Sequence, residues 1–257
     1  MSQEEKPDEL AGTEAPFVSH LIELRDRLVR VVIALAVVFI GLSIYPTPAG
    51  LYDLLAQPMV ATLPSGATMI ATNVISPFMV PLKITLLAAF LLALPYVLYQ
   101  VWAFVAPGLY AHEKRLVLPL VVSSTVLFLI GVAFCYFFVF GKVFAFIQGF
   151  APKSITAAPD IEAYLGFAMS MFIAFGAAFE VPVVVVVLVR MGIVTLEKLR
   201  EFRGYFVVLA FIIAAVLTPP DVVSQLALAI PMVLLYELGI FCAKYFVRYT
   251  KAPDSED

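Results

Sequence analysis

The sequence predicts an all-α, polytopic membrane protein with six transmembrane helices, both termini cytoplasmic and the last two helices short. Three observations carry this. Of 257 residues, 63% are hydrophobic and only 14% charged, with a mean hydropathy of +1.02; a soluble domain of this size carries nearer a quarter charged residues. The apolar residues gather into long runs separated by short polar or proline-rich stretches. Lys and Arg fall on alternate connections between those runs.

The runs are read in order. The first covers about Leu28 to Tyr45, the second Pro77 to Val105, the third Leu116 to Phe140 and the fourth Tyr164 to Val189. Each approaches or exceeds the ~20 apolar residues that cross a ~30 Å hydrocarbon core. The fifth, Tyr205 to Leu217, is only about 20 Å of helix at ~1.5 Å per residue, and "TPPD" at 218 to 221 stops it. With the sixth, Ser224 to Phe246, it reads as a short hairpin that thins the bilayer or packs into a recess.

Orientation follows from the cations. Lys6, Arg25, Arg27 and Arg30 lie ahead of or at the very start of the first run; Lys114 and Arg115 lie between the second and third. Arg190, Lys198, Arg200 and Arg203 lie between the fourth and fifth, and Lys244, Arg248 and Lys251 follow at the end. The alternate connections hold only Lys142 and Lys153, and Lys83 begins the second run. By the positive-inside rule both termini are cytoplasmic.

One integral-membrane domain is expected over 1–257: an acidic, flexible leader at 1–15, the helical body at 16–248 and a flexible tail at 249–257. The first sixteen residues are the reverse of a basic then apolar signal peptide. Cys135 and Cys242 lie in apolar segments without CxxC spacing, which points away from a disulfide or zinc framework. No Walker-type glycine loop, HExxH or GxSxG occurs, so the expectation is no enzyme, no cofactor, no metal and no nucleic-acid partner. His20 and His112 read as surface hydrogen-bonding groups. In the outward connection at 46–77, Leu51, Leu54, Leu55 and Met59 line one face of a short helix lying on the membrane; a packed, irregular cap is an equal reading.

"FVSHLIELRDRL" at 17 to 28 places Phe17, Leu21, Leu24 and Leu28 on one helical stripe, with Ser19 as N-cap. Glu23 and Arg27 stand one turn apart, as do Asp26 and Arg30, so ion pairs are available on the polar face. Spacing alone suits an interfacial anchor. The connection "VWAFVAPGLYAHEKR" adds Glu113 beside Trp102, Phe104 and Tyr110. Two carboxylates near aromatic rings suit a ligand with adjacent arginines, because guanidinium pairs with carboxylate bidentately and stacks on aromatic faces. Each exposed pair contributes at most ~1 kcal/mol, so a further apolar contact is needed.

Glu180 in "FGAAFEVPVVVVV" is the sharpest intramembrane signal. A charged side chain at the bilayer centre costs ~2.5–3.5 kcal/mol on insertion scales. Pro182 also denies a donor to the Ala178 carbonyl. Together they predict a wet or partner-facing groove, with a hydrogen bond between helices as the plainer reading. Asp221 is placed to cap the sixth helix. Gly166, Ser170 and Ala174 form a small-residue stripe suited to close packing. A small transporter with Glu180 as its ion site is the competing reading, but no repeated pair of broken helices is visible.

"FVSHLIELRDRL", "MIATNVISPF", "LYQVWAFVAPGLYAHEKR", "FGAAFEVPV" and "LTPPDVVSQLALAIP" occur in this order, and over residues 16 to 248 the chain resembles the TatC family, the multispanning receptor subunit of the twin-arginine protein translocase. The resemblance implies a receptor in the bacterial cytoplasmic (inner) membrane for twin-arginine signal peptides of folded precursors. It also implies single-span TatA- and TatB-type subunits, other copies of the chain and membrane lipid as partners, with the proton-motive force as drive. Glu23 and Glu113 would receive the arginines, supported by Arg25 and Phe104. Glu180 would face a concave pocket, with Thr218, Asp221 and Gln225 near the partner helices. Pro58 would shape the outward cap, and Pro182, Pro219 and Pro220 would hold the backbone of their segments.

Overall fold

The computed structural model describes residues 11–63, 68–105, 117–150, 158–218 and 221–247. The helices are α1 (Ala11–Ile44), α2 (Pro48–Val60), α3 (Ser76–Val105), α4 (Val117–Phe134), α5 (Phe140–Phe150), α6 (Ile161–Phe179), α7 (Val181–Arg190), α8 (Leu196–Glu201), α9 (Arg203–Leu217) and α10 (Val222–Val247). Among the described residues, extended structure is limited to one isolated bridge between Ile70 and Asp160. Five spans are long and apolar enough to cross a membrane: Ser19–Ile44, Ser76–Val105, Leu118–Gly149, Ile161–Arg190 and Val222–Tyr245. The sixth apolar helix, α9, is shorter.

Several expectations shift. α1 opens at Ala11, within the stretch assigned to the leader, so Ser19 lies inside the helix rather than capping it. The third run does not stop at Phe140. A π-helical turn at Cys135–Val139 joins α4 to α5, and the helix continues to Phe150. The fourth run divides at Glu180, where Pro182 enters the first turn of α7. Of the last two helices only α9 is short: its 15 residues give about 22 Å, whereas the 26 residues of α10 give about 39 Å. The difference lies at one end. Arg203, the first residue of α9, pairs with Glu237 at 2.7 Å, so the last ten residues of α10 run past α9 and pack on α7 and α8.

The core is shared by α3, α4, α5 and α6. Leu94, Phe140, Leu165, Met171 and Phe175 are fully buried there. In lipid, apolar side chains gain little by leaving their solvent, so helices associate through close approach and polar links. Gly131 and Gly176 supply that approach between α4 and α6. A Cβ at Gly131 would stand 2.6 Å from the Phe175 carbonyl oxygen, and one at Gly176 would overlap the Phe128 ring. The predicted stripe behaves otherwise: Gly166 and Ser170 are exposed and only Ala174 is buried. Sequence spacing located small residues but not the face they serve.

At one end of the bundle, called here the cap end, α2 packs on α3 and α5 with Leu55 and Ala56 buried. The helical reading of this connection therefore holds, but the helix is docked, and Leu54 of its expected membrane face points outward. Pro58 lacks an N–H, which leaves the Leu54 carbonyl without its helical donor. Tyr136 of the π turn supplies one, donating to Leu54 O at 2.6 Å, and Tyr164 donates to Leu55 O at 2.6 Å. A second tie joins residues 70–72 to the start of α6. The N–H of Ile70 donates to Pro159 O and that of Ile161 to Ile70 O, both at 2.9 Å.

Candidate functional site

Three polar places stand out. The first lies where α1 crosses α3, at the end of the bundle opposite the cap. Arg27 donates through Nε at 2.9 Å and Nη2 at 2.6 Å to one oxygen, Oε1, of Glu23, and through Nη1 to Gln100 Oε1 at 3.1 Å. Gln100 is buried on α3. One turn away His20 stacks on Phe104 with ring centroids 4.2 Å apart and planes at 18°. His20 is thus a stacking partner before it is a surface donor. Among the described residues no hydrogen bond reaches Glu23 Oε2.

This arrangement turns α1 around relative to its sequence pattern. Glu23 and Arg27 face α3, while Leu21, Leu24 and Leu28 are exposed. In water that would be inverted; in a membrane the apolar stripe meets lipid or another helix, and the polar links face the bundle. Arg25 takes no part at Glu23. It pairs with Asp26 at 2.7 Å, both well exposed, and so displaces the Asp26–Arg30 pair that spacing offered. Glu113 lies outside the described residues, as do Pro219 and Pro220.

The second place is inside the span Ile161–Arg190. Trp102 Nε1 donates to Ser124 Oγ at 3.0 Å, and the Ser124 side chain lies near the Glu180 carboxyl. This polar cluster thus draws on α3, α4 and the α6–α7 break. Its far end is unfinished: Glu180 Oε1 is buried without a partner. A buried carboxyl oxygen without a partner in hydrocarbon costs free energy unless water or a donor reaches it. Sequence reasoning found Glu180 but missed Ser124, whose only signal was a hydroxyl in a long apolar run. Pro182 does what its chemistry requires. The helix breaks beside it, and Glu180 O is picked up by Val184 N at 3.0 Å.

The third is the α9–α10 turn. Thr218 is buried and donates to Ala214 O at 2.8 Å. Asp221 Oδ1 accepts the Ser224 N–H at 2.7 Å, capping α10 as expected. Gln225 Nε2 donates to Phe211 O at 3.3 Å, tying α10 to α9. The open positions are Asp221 Oδ2 and the hydroxyl of Ser224, both buried without a partner among the described residues; Ser224 was not singled out by sequence.

Asp160, at the cap end, was not singled out either. Its carboxylate accepts from the backbone of Glu162 and Ala163 and from both the N–H and hydroxyl of Thr72, at 3.0 and 2.7 Å. These bonds, that from Ala163 foremost, pull its pKa down to about 2. Ser76 and Lys83 of α3 hold neighbouring Glu162 at 2.7 and 3.0 Å. Cys135 and Cys242 are free thiols, and among the described residues no cluster of metal-ligating side chains forms.

Comparison with known proteins gives these places a setting. The family model for TatC, the Sec-independent protein translocase protein, matches residues 19–231. A Sec-independent protein translocase protein TatC from Halothiobacillus neapolitanus is 51% identical over 242 residues, 94% of this chain and 66% of that protein. Its counterpart from Haemophilus influenzae is 50% identical over 231 residues, 90% of both chains. In three dimensions the chain is similar to a crystal structure of a twin-arginine translocase receptor, TatC, at TM-score 0.75 and 38% identity, covering 89% of this chain and all of that one. This multi-pass membrane chain therefore belongs to the TatC family of Sec-independent protein translocase proteins.

Proposed function

We propose that this chain is the receptor and core subunit of a twin-arginine translocation system in a bacterial inner membrane, with both termini cytoplasmic. It binds twin-arginine signal peptides of folded precursors at the end of the bundle that carries Glu23. The observation that carries this reading is the geometry at Glu23. One carboxylate oxygen accepts twice from Arg27, which is itself held by Gln100, and among the described residues no hydrogen bond reaches the other, one turn from the His20–Phe104 stack. An incoming guanidinium pairs with Oε2 and lies against an aromatic face. Glu113 supplies the second carboxylate, and Arg25 acts at a distance through the charge balance of the α1 face.

Assembly with single-span TatA- and TatB-type subunits uses the other two places. The buried oxygen of Glu180 and the buried groups of Asp221 and Ser224 are acceptors and donors that no described residue satisfies. A partner helix bearing a polar residue satisfies them. Hydrogen bonds of this kind in lipid contribute ~0.6–2 kcal/mol each, which suits assembly that must reverse. Thr218 and Gln225 shape the turn and contribute through its backbone, since their own side chains are engaged within the hairpin. The proton-motive force acts through these partners, and further copies of the chain complete the complex.

Photocrosslinkers placed at Glu23, Glu113, Glu180 and Gln225 test the assignment, with and without a precursor bearing paired arginines. The expected pattern is precursor capture from positions 23 and 113 and single-span subunit capture from 180 and 225. Precursor capture confined to 180 and 225 would overturn it.

A further inference from the structure

We propose that His20 is a displaceable cover on Phe104: its imidazole holds the place on the ring that a guanidinium of the signal peptide takes on binding. The proposal rests on the signal-peptide reading and deepens it by naming the side chain that the ligand must move. The two rings lie nearly parallel, with centroids 4.2 Å apart and planes at 18°. At that spacing no planar group fits between them.

The covered face is the one that matters. His20 and Glu23 stand at i and i+3 of α1, neighbours on its surface and about 4.5 Å apart along its axis. Phe104, reaching across from α3, therefore turns toward α1 and Glu23 the face that the imidazole covers. A guanidinium that pairs with Glu23 Oε2 and also stacks on Phe104 needs that face. The nearby cations of α1 are tied elsewhere: Arg27 to Glu23 and Gln100, and Arg25 to Asp26.

The cover is lightly held. His20 is exposed, and among the described residues its imidazole makes no hydrogen bond, so the stack on Phe104 is what keeps it in place. A guanidinium is planar and stacks on aromatic faces while it pairs with a carboxylate. It exchanges one stack for another and adds a charge pair. An ammonium is a compact, strongly hydrated point charge; it pairs with Glu23 and leaves the imidazole where it is. The cover thus keeps the ring for a planar cation.

The imidazole reports its own displacement, because the ring current of Phe104 shifts its magnetic resonance signals. The chain has two histidines, so isotope labelling of histidine in the full-length protein in lipid gives two sets of signals, and His20→Gln identifies one of them. Phe104→Leu supplies the position of an unstacked imidazole. At constant pH, a saturating signal peptide with adjacent arginines is expected to move the His20 signal to that position, and the two-lysine peptide to leave it unmoved. His20→Ala is expected to bind the arginine peptide about fivefold tighter, the scale of one aromatic pair, and His20→Phe, which restores a ring on Phe104, to bind it close to the unaltered protein. An unmoved His20 signal with the arginine peptide bound overturns the cover and leaves the Glu23 site standing. Equal displacement by the lysine peptide also overturns it, as does weaker binding in His20→Ala, which would make the imidazole a contact of the peptide. Arginine-peptide binding unaffected by Glu23→Gln would overturn the signal-peptide reading itself, and the cover with it.

Discussion

Arg27 donates twice to a single oxygen of Glu23, at 2.9 and 2.6 Å, and is itself held by Gln100 of α3 at 3.1 Å. The cation therefore aims the carboxylate as well as balancing its charge. Arg27→Lys separates the two effects, because an ammonium keeps the charge but cannot span both Glu23 and Gln100 from a planar fork. Binding of a signal peptide with paired arginines is expected to weaken about threefold, the scale of one partly exposed pair. A titration with labelled peptide checks it, and unchanged affinity would reduce Arg27 to a counter-charge.

The Pro58–Leu54–Tyr136 arrangement predicts a non-additive pair of variants. Tyr136→Phe removes the donor to the Leu54 carbonyl and is expected to cost about 1 kcal/mol of stability. Pro58→Ala restores a helical N–H to that carbonyl. In the Pro58→Ala background the cost of Tyr136→Phe should fall to less than half, read as a double-mutant cycle of denaturation in detergent. Equal costs in the two backgrounds would show that the proline and the tyrosine act separately.

Asp160 makes the cap acid-sensitive. Its carboxyl sits near pKa 2 in the folded chain against 3.8 ordinarily. Its contribution to pinning residues 70–72 is therefore present above pH 4 and is lost as pH falls from about 4 through 2. Exchange of the Thr72 amide should quicken over that window, and Asp160→Asn should exchange faster at neutral pH with the acid step removed. An Asp160→Asn variant that keeps the acid step would place the titration elsewhere.

Those three sites show what a sequence discloses and what it withholds. Apolar length located every spanning helix, and Pro182 marks a missing backbone donor beside Glu180, because both are local properties; the apolar run across it gives no sign of the break. Pro58 pointed to a shaped turn, yet its partner Tyr136 lies 78 residues away in the chain and no periodicity links them. The reversal of α1 was hidden for another reason. An amphipathic stripe says which residues share a face, and only the surrounding medium says which face is inside. The overrun of α10 past α9 was legible in the run lengths, since the sixth run reaches Phe246 and the fifth begins only at Tyr205; its packing on α7 and α8 has no local signal.

The Trp102–Ser124 hydrogen bond, close to Glu180, makes the tryptophan a sensor of the intramembrane site. Docking of a single-span subunit at Glu180 should shift the emission of Trp102, and Ser124→Ala should abolish most of that shift by removing the hydroxyl between them. A full shift in Ser124→Ala would mean the subunit reaches Trp102 by another route.

The most direct measurement is the affinity of the purified protein, in lipid, for a signal peptide carrying adjacent arginines, compared with its Glu23→Gln, Glu113→Gln double variant. Two charge pairs at up to ~1 kcal/mol each predict binding weaker by up to about thirtyfold, with the same insertion and stability. The two-lysine version of the peptide should bind the unaltered protein no better than the original peptide binds the double variant. Undiminished affinity in the double variant would contradict the account.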